Sequence, residues 1–164
     1  ISRYRASLIQ DGQIVFLDAG TTTAYLLDYL GETKATFVTN AVAHAQRLAR
    51  MGKKVTLIGG QLKASTEAVV GNQAMHMLMD YHFTKGFFGT NGISRKAGCT
   101  TPDSNEAMIK RTAIGQCRNA FVLCDSSKFD SVSSITFASF QDVEYITDRR
   151  LPGYADCHNI TVVE

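Results

Sequence analysis

The amino-acid sequence predicts a three-layer α/β domain on a mostly parallel sheet, and three observations predict it. Short β-rich apolar runs alternate with stretches whose apolar residues recur at helical spacing, the pattern of right-handed βαβ crossovers that cover both faces of a sheet. The runs ending at Leu17, Thr39, Ile58, Phe88 and Cys124 each lead into a loop of small or polar residues, where ligands of such sheets gather. The length of 164 residues, with 45% hydrophobic residues and two prolines, suits one buried core and leaves two full domains cramped.

Ile14-Val15-Phe16-Leu17 is the first strand, an apolar run of the kind buried on both faces. The helix expected from Thr22 to Leu30 sets Ala24, Leu27 and Leu30 on one side. Thr36 to Thr39 is the second strand, Ala41 to Met51 a helix, and Lys54 to Ile58 a third strand ended by Gly59-Gly60. After an unassigned stretch, Asn72 to Met79 reads as a helix with Met75, Met77 and Met79 as packing residues, and Phe83 to Phe88 as a strand. A glycine-rich segment, Gly89 to Gly98, and a long loop holding Thr100, Thr101 and Pro102 follow. Asn105 to Arg118 is a helix, and Ala120 to Cys124, Val143 to Thr147 and Ile160 to Val163 are the remaining strands.

Seventeen Lys and Arg stand against fifteen Asp and Glu, and the basic residues are scattered, which is not a nucleic-acid footprint. No apolar stretch approaches the roughly 20 residues that span a bilayer, and the start has no hydrophobic signal core, so a soluble, cytoplasmic protein without membrane contact is expected. Cys99, Cys117, Cys124 and Cys157 lack metal-ligand spacing, and no cofactor is expected. His44, His76, His82 and His158 fall on different elements and read as helix-surface or edge residues. The chain begins without Met on a polar, helical-looking stub, as a fragment of something longer would.

Four loops could carry chemistry. Asp18-Ala19-Gly20-Thr21-Thr22-Thr23 joins a buried strand to a helix start, where free N–H groups, the close approach that Gly20 permits and three hydroxyls suit a phosphate. The plainer reading makes Thr21 or Thr22 an N-cap. Actin-like sugar kinases carry a similar string in a hairpin, but the residues that follow here look helical; haloacid-dehalogenase-like phosphatases need an acid where Gly20 stands. In Phe87 to Ile93, Asn91 could bond a sugar hydroxyl or simply adopt a left-handed turn. Glu106 and Lys110 share a helix face and could meet the polar end of a sugar, or form an ordinary i,i+4 pair. Asp125-Ser126-Ser127-Lys128 offers a lysine beside two hydroxyls, or a surface turn.

Together these loops resemble the C-terminal effector-binding domain of the DeoR family of bacterial transcriptional regulators. The resemblance runs from Asp11 to Asp148 and rests on Asp11-Gly12, Asp18 to Thr23, Val38-Thr39-Asn40, Ile58-Gly59-Gly60, Gly89-Thr90-Asn91-Gly92-Ile93, Thr100 with Glu106 and Lys110, and Asp125 to Lys128. It implies a fold like that of phosphosugar isomerases and coenzyme A transferases, with residues 1 to 164 as a single effector-binding domain. It further implies a winged helix-turn-helix, absent from this chain, for operator DNA, a phosphorylated sugar as effector, and a homo-oligomer, dimer or tetramer. Carried over, Asp18, Gly20, Thr21, Thr22, Thr23 and Lys128 would hold the phosphate, and Asn40, Gly60, Asn91, Glu106 and Lys110 the sugar. The related isomerases place an acid where Asn91 stands, and Asn is no general base at neutral pH. Binding without turnover, with no catalytic residue, is expected; a sugar-phosphate isomerase using Glu106 is the alternative.

Overall fold

The computed structural model describes residues 2 to 163. Seven strands form one parallel sheet: β1 (Ile14–Leu17), β2 (Thr36–Thr39), β3 (Lys54–Leu57), β6 (Phe83–Phe88), β9 (Cys117–Leu123), β11 (Glu144–Thr147) and β12 (Ile160–Val162). Their order is β12-β11-β9-β6-β1-β2-β3, and every neighbouring pair is parallel. All carboxyl ends therefore face one edge, and the strand order turns back at β1, which sits between β2 and β6.

Alternation along the strands builds a core on each face. Val15, Leu17, Phe37, Phe121, Leu123 and Ile146 pack on one face with Leu26, Leu27 and Leu48 from α2 (Thr21–Leu26), the 3-10 turn Leu27–Tyr29 and α3 (Val42–Arg50). Phe16, Val38, Phe88, Val122 and Tyr145 pack on the other with Ala74, Leu78, Ala107, Ile109 and Ala113 from α4 (Asn72–Leu78) and α5 (Ser104–Gly115). Phe16 lies at 5.3 Å from Phe83 and 5.5 Å from Phe88, ring centre to ring centre, inside that second core. A further helix, α1 (Ser2–Ser7), lies against α2.

The structure departs from the expected elements in four places. The helix expected from Thr22 to Leu30 is α for one and a half turns only and finishes as a 3-10 turn. The unassigned stretch before Asn72 is an antiparallel hairpin of β4 (Gln61–Lys63) and β5 (Ala68–Val70). The supposed long loop after Phe88 holds β7 (Gly92–Ser94) and β8 (Gly98–Thr101), which join β10 (Ile135–Ala138) in a small antiparallel sheet. These strands are too short to display a period, and β8 finds β10 more than thirty residues later. Glycine makes the join possible: a Cβ on Gly98 would stand 2.1 Å from the Ala138 carbonyl oxygen, and one on Gly92 2.4 Å from that of Ser131. The helix expected at Asn105 to Arg118 stops at Gly115, because Cys117 already pairs with Phe83 as the start of β9.

Among the described residues no helix is long and apolar enough to cross a membrane, and no group of His, Cys, Asp and Glu could hold a metal ion.

Candidate functional site

At the carboxyl edge of the sheet, the loops after β1, β2, β6 and β9, the start of α5 and the β4–β5 hairpin enclose a cavity of about 810 Å³. Its lining includes Asp18, Gly20, Thr21, Thr22, Asn40, Asn91, Glu106, Lys110 and Lys128, nine of the eleven residues expected from the sequence. The geometry gives several of them roles other than the expected ones.

Asp18 directly follows β1 and is 2% exposed, while Lys110 of α5 is 7% exposed. The two form a buried ion pair, Lys110 also donates to the Gly89 carbonyl at 3.0 Å, and Gly89 N–H donates to Asp18 Oδ2 at 3.1 Å. The carboxylate at the start of the Asp18–Thr23 loop is thus neutralised by a lysine from α5. The ordinary i,i+4 pair of Glu106 and Lys110, the plainer of the two readings, does not form. Glu106 instead meets Lys63 at 3.3 Å and accepts from Thr66 at 3.1 Å, both on the β4–β5 hairpin, and Lys63 reaches Asp103 at 3.0 Å. Asp103 caps α5 by accepting from Glu106 N–H at 3.0 Å, and that bond, then Lys63, holds its carboxyl below the usual range.

Neither Thr21 nor Thr22 is an N-cap. Gly20 takes that position at φ 129, a backbone conformation that suits glycine, and no side chain caps α2. Thr21 and Thr22 line the cavity, but Thr23 does not: its hydroxyl turns inward to the Asp18 carbonyl at 2.6 Å and to His44 Nε2 at 2.9 Å. Gly60 is also absent from the lining. A Cβ there would stand 2.9 Å from the Val70 carbonyl oxygen and 3.2 Å from Ala74 Cβ, so this glycine serves the packing of β5 and α4 rather than a ligand.

Asn40 donates to the Val69 carbonyl at 3.1 Å, and its buried Oδ1 has no partner among the described residues. Asn91 is held by β8, accepting from Thr101 Oγ1 at 3.1 Å and donating its N–H to the Thr100 carbonyl at 3.0 Å. Asp125 turns back on its own loop, its carboxyl kept low first by the Ser127 hydroxyl and then by the Ser127 N–H. Lys128 is half-buried, and among the described residues its ammonium has no carboxylate partner. The cavity is therefore bipolar: a free cation sits at Lys128, while one lysine, Lys63, is shared between the carboxylates of Asp103 and Glu106.

Sequence reasoning missed His44, Lys63, Ser65 and Thr66, all of which line the cavity. For His44 the signal was present: Ala41, His44, Ala45 and Leu48 follow helical spacing, so His44 stands on the buried face of α3, not its surface. A second groove of about 970 Å³ lies around Arg95 and His158, but Arg95 is already committed to Asp156 at 2.7 Å and to the Gly153 carbonyl at 2.6 Å.

A parallel sheet with a bipolar cavity at its switch point defines an α/β domain with a phosphosugar isomerase-like fold. Ribose 5-phosphate isomerase A of Methanocaldococcus jannaschii superposes with a TM-score of 0.57 at 14% identity, covering 78% of this chain and 51% of the isomerase, a likeness of fold alone. The chain belongs to the DeoR family: residues 1–149 match the family described as the DeoR C terminal sensor domain. It is 42% identical over 148 residues to the HTH-type transcriptional regulator FruR of Bacillus subtilis (strain 168), covering 90% of this chain and 59% of FruR. It is 34% identical over 158 residues to the HTH-type transcriptional repressor GlcR of the same organism, covering 96% of this chain and 61% of GlcR. The chain spans about three fifths of the length of these curated relatives. Both relatives are named as regulators of transcription, not as enzymes.

Proposed function

We propose that this chain is the effector-sensing domain of a cytoplasmic transcriptional repressor of sugar metabolism, and that its effector is a phosphorylated sugar bound in the cavity at the carboxyl edge. The bipolar lining carries this reading. Lys128 and the uncapped turn at Thr21 and Thr22 suit a phosphate, and the carboxylates of Asp103 and Glu106 suit the hydroxyl donors of a sugar. Asp18 and Lys110 support the floor between them as a neutralised pair.

The whole repressor would bind operator DNA through a helix-turn-helix outside the matched part, and effector binding would shift the oligomer between states of different operator affinity. Such control requires that the sugar phosphate bind those states unequally. Binding without turnover fits Asn91, which cannot act as a general base at neutral pH and stands where the related isomerases place an acid.

Calorimetric titration of the chain with a panel of aldose and ketose phosphates tests the reading. Saturable binding of at least one ester, with the unphosphorylated sugar much weaker, is expected. No binding by any ester or by inorganic phosphate overturns it, and turnover of an ester that Glu106→Gln abolishes would replace sensing with isomerisation.

A further inference from the structure

His44 is 6% exposed and lines the cavity on which Thr21, Thr22 and Lys128 also open. Its Nε2 lies 2.9 Å from Thr23 Oγ1. The Thr23 hydroxyl has one proton, and its oxygen stands 2.6 Å from the Asp18 carbonyl oxygen and 3.1 Å from that of Gly20. That proton is committed to a carbonyl, so the hydroxyl oxygen is the acceptor toward His44 and the imidazole carries its proton on Nε2. The relay from His44 through Thr23 to Asp18 ties α3 to the loop that faces the cavity, and it leaves Nδ1 as the ring position that can gain a proton.

We propose that His44 positions the Asp18–Thr23 loop and couples anion binding to proton uptake, so that an anion in the cavity is bound together with a proton on the imidazole. This rests on the reading of the cavity as a phosphate-ester site. Burial disfavours the imidazolium and lowers His44 from its ordinary value, opposed by the Asp18 carboxylate and by the Gly20 carbonyl, and assisted by Arg47 on the same helix. The other charges are largely engaged: Asp18 with Lys110, Arg47 with Asp28, Lys63 with Asp103 and Glu106. Lys128 remains as the free cation facing the cavity among the described residues. An arriving anion adds an opposite charge near the ring and favours its protonated form. The His44 pKa is then higher in the bound state than in the free state. Binding takes up a proton, and affinity rises as pH falls toward the free-state value.

Inorganic sulfate is the probe, because it does not titrate between about pH 5 and pH 8, the range in which histidine does. The sulfate dissociation constant of the 164-residue chain is expected to fall with pH across that range, by at most about tenfold per pH unit for one linked proton. His44→Gln keeps an N–H donor and cannot titrate, so its profile is expected to be flat, while His76→Gln, altering an exposed ring on α4, keeps the slope. By NMR, the titration midpoint of the wild-type His44 ring rises when sulfate is added. Sulfate binding with a flat wild-type profile, an unchanged His44 midpoint, or an undiminished slope in His44→Gln overturns the inference and leaves the reading of the cavity standing. Should His44→Gln not fold, the wild-type midpoint decides. A wild-type chain that binds neither sulfate nor phosphate overturns both.

Discussion

Replacing Lys110 with Ala removes one half of an ion pair at the floor of the cavity. Among the described residues the Asp18 carboxylate, 2% exposed, would keep only the Gly89 N–H as a partner, and the Gly89 carbonyl would lose the ammonium 3.0 Å away. Stranding one member of a buried pair costs about 3–5 kcal/mol. For a chain of this length each kcal/mol lowers the melting temperature by about 2–4 °C, so a drop of about 6–20 °C is expected. The Asp18→Asn, Lys110→Ala double variant removes both charges together and is expected to lose far less than the single variants Asp18→Asn and Lys110→Ala summed. Urea unfolding of the wild type, both single variants and the double variant gives the coupling. A loss under about 1 kcal/mol in Lys110→Ala, or simple additivity across the cycle, would refute the claim that these groups form a buried, interdependent pair.

Lys128→Ala is expected to leave the melting temperature of the ligand-free chain nearly unchanged, because the ammonium makes no ion pair among the described residues, and to abolish the stabilisation that sugar phosphates confer on the wild type, read by melting with and without ester. Asp103→Ala removes the cap of α5 and is expected to cost about 1 kcal/mol at neutral pH. Asp103 is held below its unfolded value of about 3.9, so its stabilising contribution is present above that pH and fades as the pH falls through the lower folded value. Denaturation curves of wild type and Asp103→Ala should accordingly converge as the solution is acidified below about pH 4. Arg5→Met is expected to raise stability: Arg5 is buried in α1 and, among the described residues, its Nε and Nη1 have no partner and its one side-chain bond goes to the Ile146 carbonyl at 3.2 Å, while burial lowers its guanidinium to about 10. A melting temperature that fell by several degrees would show that this one bond outweighs the desolvation.

The parallel strands were legible because β1 and the carboxyl-terminal halves of β2, β6 and β9 are buried, so Ile14–Leu17, Phe37-Val38, Phe87-Phe88 and Ala120 to Leu123 read as short apolar runs. Their parallel pairing then puts the loops after Leu17, Thr39, Phe88 and Cys124 on one edge, which is why most of the cavity could be named from the sequence. The hairpin Gln61–Lys63 with Ala68–Val70 and the sheet around Gly98–Thr101 were not legible. A strand of three or four residues holds too little pattern, and its partner is chosen by a contact distant in sequence.

The same distinction holds within the site. The sequence by itself determined which residue types reach the carboxyl edge, and in what order along it. Only the tertiary structure decided their partners: Lys110 pairs with Asp18, not with Glu106 one turn away on its own helix, and Glu106 goes to the hairpin. Spacing makes an exposed i,i+4 pair possible at a few tenths of a kcal/mol, whereas burying Asp18 under the sheet edge makes a lone carboxylate costly by several, so the buried acid takes the lysine. Gly60 went to packing and Thr23 to the His44 relay by the same rule, each taken by the more buried neighbour in three dimensions.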